Sequence, residues 1–245
     1  MITGASSGIG AAAARLFGAE GASLVLMARR QKLLQDLVEE VCEAGGAATA
    51  VAGDVTSVQD VTAAVAAARE VYGGLNGAFN NAGWSAMPAP LHLMDDSDFD
   101  ATMNVNVRGV WNCLRQQIPA LLENPDGGSI VNTSSTAGVV SPRFPPAPYI
   151  AAKHAVIGLT KAAAEEYGDR NIRVNALIVG ATRTELMQQG FDLVPTLEQD
   201  FKDRSMLPRV AEPDEIAQAA AWLCSDASSF VTGGSIPVDG GFTAL

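Results

Sequence analysis

Tyr149 and Lys153 stand four residues apart in a stretch that reads as helix, so their side chains share one face about one turn apart. A phenol ordinarily titrates near ~10, and a neighbouring ammonium favours the phenolate and lowers that value. A phenol tuned toward neutrality passes a proton in either direction, which is general acid/base chemistry. Ser135 stands at the end of a β-rich run. Ser134 is the adjacent alternative, but two-residue alternation sends it to the other side of a strand, and the SxxG register to Gly138 selects Ser135. Taken alone, Tyr149 and Lys153 read equally as a solvated surface pair and Ser135 as a strand-end cap. Far upstream, Gly8-Ile9-Gly10-Ala11-Ala12-Ala13 fits the G-x-G-x-x-G/A fingerprint of a loop that admits a pyrophosphate to a helix N-terminus.

Such groups need a rigid platform, and the chain spells one out. Apolar runs at Leu24 to Met27, Ala48 to Ala52, Leu75 to Asn80, Ser129 to Thr133, Arg173 to Ile178 and Ile236 to Val238 alternate with amphipathic stretches, the rhythm of βαβ units. The runs are continuously apolar, as strands covered by helices on both faces are. Gly21, Gly45-Gly46, Gly73-Gly74 and Gly127-Gly128 precede four of them as left-handed helix caps. The expectation is one α/β domain over residues 1–245, a Rossmann-type doubly wound parallel sheet with helices on both faces. Its first strand is truncated, because only Met1, Ile2 and Thr3 precede the first glycine. Ser141 to Pro148 is expected as an irregular cover over the site, and roughly Glu185 to Pro208 as a substrate-covering segment of loop and helices.

Composition narrows the classes. Apolar residues at 48% against 18% charged exclude a mainly disordered chain, and a net charge of −11 disfavours nucleic acid and anionic membrane. Three scattered cysteines and two histidines argue against a metal centre and suit a reducing compartment. No run is long enough to span a bilayer and the start lacks a signal sequence, so a cytoplasmic location is expected. In dinucleotide folds an acid about 20 residues past the first glycine binds the adenosine ribose. Here Ala28 holds that place and Arg29-Arg30 follow, so guanidinium groups that fit a 2′-phosphate argue for NADP(H) over NAD(H).

Thr3-Gly4-Ala5-Ser6-Ser7-Gly8-Ile9-Gly10 (TGxxxGxG), Asp54-Val55, Asn80-Asn81-Ala82-Gly83 (NNAG), Asn106 to Gly109 (NxxG), Ser135 and Tyr149 to Lys153 (YxxxK) occur in this order. Over essentially its whole length the chain resembles the short-chain dehydrogenase/reductase family. The resemblance implies interconversion of a secondary alcohol and a ketone, with Tyr149 as acid/base and Ser135 holding the substrate oxygen. It implies that Lys153 also holds the nicotinamide ribose, and that Asn106 anchors a water relaying protons from Lys153. For the cofactor it implies Gly4, Ser6, Ser7, Gly8, Ile9 and Gly10 at the phosphates and Asp54 and Val55 beside the adenine. Asn81, Ala82 and Gly83 would lie along the adenosine, with Gly180, Thr182 and Thr184 toward the carboxamide and phosphates. One departure is Val179-Gly180 where the family carries Pro-Gly. The family's enoyl reductases space tyrosine and lysine more widely. A homo-oligomer, a tetramer, is expected through the small-residue stripe Ala151, Ala155, Gly158 and Ala162. A non-catalytic nucleotide-binding protein on the same fold is the alternative. Trp84, Met87, Met94 and Phe144 are candidates for a substrate wall or for plain packing, and His92 and His154 are read as surface or structural residues.

Overall fold

The computed structural model describes residues 1–142 and 144–244. Seven strands pair in parallel in the order β3-β2-β1-β4-β5-β6-β7. They are β1 (Ile2–Thr3), β2 (Ser23–Ala28), β3 (Ala47–Ala52), β4 (Gly77–Asn80), β5 (Gly128–Ser135), β6 (Ile172–Val179) and β7 (Ser235–Val238). The expected runs are these strands, shifted by a residue or two at their ends. Gly21, Gly45, Gly73 and Gly127 all take positive φ, as helix-ending glycines should.

The short first strand is central and buried. Ile2 and Thr3 pair with Leu26 and Met27 on one side and with Phe79 and Asn80 on the other. Alternate residues of each strand feed two cores. Val25 and Met27 pack with α3 (Val58–Tyr72), α5 (Gly109–Leu122) and α6 (Ala147–Tyr167). Leu24, Leu26 and Ala28 pack with α1 (Gly8–Ala19), α2 (Gln31–Glu43) and α9 (Pro213–Cys224). Burial on both faces is what removes polar alternation from these strands.

Buried amides pin the sheet to the helices. Asn80 Nδ2 donates to Gln117 Oε1 (3.0 Å) and to Asn132 Oδ1 (2.9 Å), and Gln117 Nε2 donates back to Asn80 Oδ1 (2.8 Å). Asn132 Nδ2 donates to Thr160 Oγ1 (3.0 Å), whose hydroxyl donates to the Val156 carbonyl. The chain of bonds ties β4, α5, β5 and α6 together, and a satisfied buried network of this kind fixes one register of α6 on the sheet.

The segment from Glu185 to Pro208 contains two short helices, α7 (Glu185–Leu193) and α8 (Leu197–Asp203). Thr184 caps α7, its hydroxyl accepting from Met187 N, and Phe191, Leu197 and Val210 form a small core under the cover. Between α4 (Asp96–Met103) and α5 the helix winds as a π-turn over Asn104–Arg108. Among the described residues no helix is long and apolar enough to cross a membrane.

Candidate active site

The strand order reverses between β1 and β4, the place where ligands settle in open parallel sheets. A cleft of ≈ 570 Å³ opens there. Gly4, Ser6, Ser7, Gly8, Ile9, Arg29, Arg30, Asp54, Val55, Asn81, Ala82, Gly83, Ser135, Tyr149, Lys153, Gly180, Thr182 and Thr184 all line it. Gly10 and Asn106 lie behind its wall. A more open hollow of ≈ 740 Å³ on the other side of Gly8 and Thr184 holds none of the candidate catalytic residues. Its two arginines are already paired, Arg15 with Glu40 and Arg183 with Glu198 and Glu212.

The cofactor end fits an anionic dinucleotide. Ser7, the residue before α1, makes no side-chain cap, so the first N–H groups of the helix are left for a ligand. Gly8 lies on the cleft floor with φ +53, and a Cβ there would meet Thr184 at 3.0 Å. A Cβ on Gly10 would overlap the Gly4 carbonyl and lie 2.9 Å from Asn81 Nδ2, so the loop closes tightly only on glycine. Asn81 holds the loop from beneath: its N–H donates to Thr3 Oγ1 (3.1 Å), and its amide to the Thr3 carbonyl (3.4 Å). At the end of β2, Arg30 lies across the glycine loop, donating to Ser6 Oγ (3.1 and 3.0 Å), to Ser7 Oγ and to Glu185 Oε2 (2.8 Å). Arg29 is loosely paired with Asp54 at 3.9 Å. Gly180 stands where a Cβ would lie 2.6 Å from Asp239 Cα, so glycine is required at this turn although valine precedes it.

At the catalytic end, β5 supplies Ser135 and α6 supplies Tyr149 and Lys153. Lys153 Nζ lies 5.4 Å from the Tyr149 ring centre and donates to the Thr133 carbonyl at 2.9 Å. Ser134 faces inward and donates to the Lys153 carbonyl, leaving Ser135 at the cleft, its hydroxyl also accepting from Ala137 N. The expected lowering of the tyrosine is not what this geometry gives. Burial pushes Tyr149 up to about 12, opposed by the Ser135 hydroxyl, and burial pulls Lys153 down to about 8. Spacing along a helix places the ammonium near the phenol, but removal of water from both groups outweighs that attraction. The phenol therefore rests protonated.

Asn106 is fully buried, and both donors of its amide are engaged, with the Trp84 carbonyl (2.6 Å) and the Thr102 carbonyl (2.8 Å). Its side chain anchors the loop after Gly83. Among the described residues Thr133 Oγ1 is buried without a partner beside the Lys153 contact, an acceptor and donor left open at the cleft. Sequence reasoning missed Thr133 and Glu185.

Beyond Tyr149 the walls are apolar: Trp84, Met87, Phe144, Leu186, Met187 and Phe201. Met94 does not reach the cleft, His92 is exposed, and His154 is exposed with Nδ1 at the Ile150 carbonyl.

Residues 4–243 match the model of a family described as enoyl-(acyl carrier protein) reductase. The A-factor type gamma-butyrolactone 1′-reductase (1S-forming) of Streptomyces virginiae is 52% identical over 100% of this chain and 95% of its own. A 2,5-dichloro-2,5-cyclohexadiene-1,4-diol dehydrogenase of Sphingobium indicum is 43% identical over 100% and 96%. Among solved structures, 3-ketoacyl-(acyl-carrier-protein) reductase from Brucella melitensis complexed with NADH superposes with a TM-score of 0.90 at 37% identity, covering 99% of this chain and 96% of that one.

Proposed function

The chain belongs to the short-chain dehydrogenase/reductase family, and from that premise we propose that it is an NADP(H)-dependent reductase of a ketone borne on or beside a small ring. The observation that carries the chemistry is the meeting of Ser135, Tyr149 and Lys153 at the end of a cleft whose other end is the glycine loop. The nicotinamide, when bound, supplies the hydride or takes it back. In reduction Tyr149, protonated at rest, gives its proton to the carbonyl oxygen while the Ser135 hydroxyl donates to the same atom. Lys153, whose Nζ lies 5.4 Å from the Tyr149 ring centre, would hold the ribose hydroxyls of the bound cofactor and return a proton to the phenol. Both donors of the Asn106 amide being engaged, a relay water there would rest on its side-chain oxygen, which lies with Lys153 Nζ beside Gly83.

Preference for NADP(H) is supported by Ala28, which leaves no carboxylate at the end of β2, and by Arg29 and Arg30 at the same end of the cleft. The Brucella relative is described with NADH, so the reading rests on this chain's own arginines. The ring is supported by the names of the two relatives above and by the apolar walls from Trp84 to Phe201. The i,i+4 spacing of Tyr149 and Lys153 favours carbonyl over enoyl substrates. We place the enzyme in the cytoplasm as a homotetramer. Ala151, Gly158 and Ala162 are exposed on α6 and Trp111 on α5, faces that a second copy would cover. A monomer mass in light scattering at micromolar concentration would refute that assembly.

The test is NADPH oxidation over a panel of 2-acyl-butyrolactones, cyclic ketones and open-chain ketones, with Tyr149→Phe as control. The variant should bind NADPH as the wild type does and lose at least ~100-fold in turnover. Retention of more than about a tenth of the rate excludes a tyrosine acid/base. Equal turnover of ring and open-chain ketones excludes the substrate assignment.

A further inference from the structure

Arg30 and Glu185 are 155 residues apart in sequence and meet across the cofactor cleft. The guanidinium rests on both serines of the glycine loop and completes its set of bonds with the Glu185 carboxylate at 2.8 Å. Glu185 has no other partner among the described residues. It is also the first residue of α7, whose next residues, Leu186 and Met187, line the substrate end of the cleft.

We propose that Glu185 is a selectivity and positioning residue: its carboxylate holds Arg30 until the 2′-phosphate of NADP(H) displaces it, and NAD(H) leaves the pair intact. The proposal rests on the NADP(H) reading above. A carboxylate and a phosphate monoester make the same kind of bonds to a guanidinium, so they compete for one partner. The phosphate wins because it brings ≈ −1.5 to −2 charge and three acceptor oxygens against the single charge of Glu185. The pair is also open to exchange, with Arg30 46% and Glu185 59% exposed, a setting in which ion pairs contribute little. The 2′-hydroxyl of NAD(H) is neutral and has no comparable claim on Arg30. Displacement removes the ion pair between the first residue of α7 and Arg30, while Thr184 still packs on Gly8. Arg29, only loosely held by Asp54, is not locked in this way.

The experiment is titration of the full-length, cofactor-free protein with NADPH and with NADH at low ionic strength, for the wild type, Glu185→Gln, Glu185→Asp and Arg30→Ala. Glu185→Gln should bind NADPH three- to tenfold more tightly and NADH within twofold of the wild type, while Glu185→Asp, which keeps the charge, should stay near the wild type. A merely structural role for Glu185 would move both cofactors together. The inference is overturned if Glu185→Gln leaves NADPH binding unchanged, weakens it, or strengthens both cofactors alike. Arg30→Ala separates the two levels of the argument. If it weakens NADPH and Glu185→Gln does nothing, only the role of Glu185 fails. If Arg30→Ala also leaves NADPH unchanged, the phosphate-clamp reading fails and takes the inference with it.

Discussion

Lys153 should be a liability to the fold in the state that catalysis uses. It is 3% exposed, and burial brings its ammonium from 10.5 down to about 8. The unfolded chain binds this proton up to 10.5, whereas the folded chain releases it near 8. Between those values the unfolded state holds more protons, so stability rises with pH through the window, and below 8 the whole cost of burying the charge is present. At 1.36 kcal/mol per pH unit, the gap from 10.5 to about 8 corresponds to roughly 3 kcal/mol. Lys153→Met keeps the length of the side chain and removes the charge. It also leaves the Thr133 carbonyl without its 2.9 Å partner, a loss that does not depend on pH and so cancels between conditions. Urea unfolding of both cofactor-free proteins at pH 7, 8.5 and 10 reads the difference. From pH 7 to pH 10 the wild type should gain about 2 to 3 kcal/mol on the variant, short of the full gap because pH 10 still lies below 10.5, a relative midpoint shift of about 1 M urea. Parallel curves would refute the buried-ammonium argument. The variant should meanwhile lose turnover at every pH.

Ala28→Asp should place a carboxylate beside Arg29 and Arg30, repel the 2′-phosphate and accept hydrogen bonds from the free ribose, moving the kcat/KM ratio toward NADH by tenfold or more in paired kinetic assays. A wild type that already prefers NADH would defeat that prediction. Gly10→Ala should force apart α1 and the Gly4 carbonyl that a Cβ would overlap, lowering Tm by roughly 5 °C for an overpacking cost of 1–3 kcal/mol and weakening both cofactors together. Calorimetry and fluorescence titration check the two effects. An unchanged Tm would show that the loop is looser than its geometry implies.

The sheet is legible from sequence because burial on both faces writes a parallel strand as an unbroken apolar run, and glycine marks where helices turn back. The glycine loop and YxxxK are legible for a similar reason, since both are local and fixed in spacing. What escapes is set by contacts between distant segments. Asn80, Gln117, Asn132 and Thr160 are ordinary polar residues until the fold brings them into one buried network, across separations of 37, 52 and 28 residues. Arg30 looks like an unpaired cation until Glu185 arrives from α7. The cover from Glu185 onward carries a local helix signal, Thr184 as cap with an acid in the first turn.

The tyrosine shows why depth matters as much as spacing. Four residues on a helix bring an ammonium to 5.4 Å from the ring, which by itself lowers a phenol. The same packing takes water from both groups, so each is driven toward its neutral form, Tyr149 upward and Lys153 downward. Loss of the phenol proton would leave an anion that favours the ammonium beside it, and loss of the ammonium would make the phenolate harder still to form. In the reduction proposed above, the proton that burial keeps on the Tyr149 oxygen is the one a substrate carbonyl would take. That is the protonation state ketone reduction requires, and alcohol oxidation must begin by reversing it.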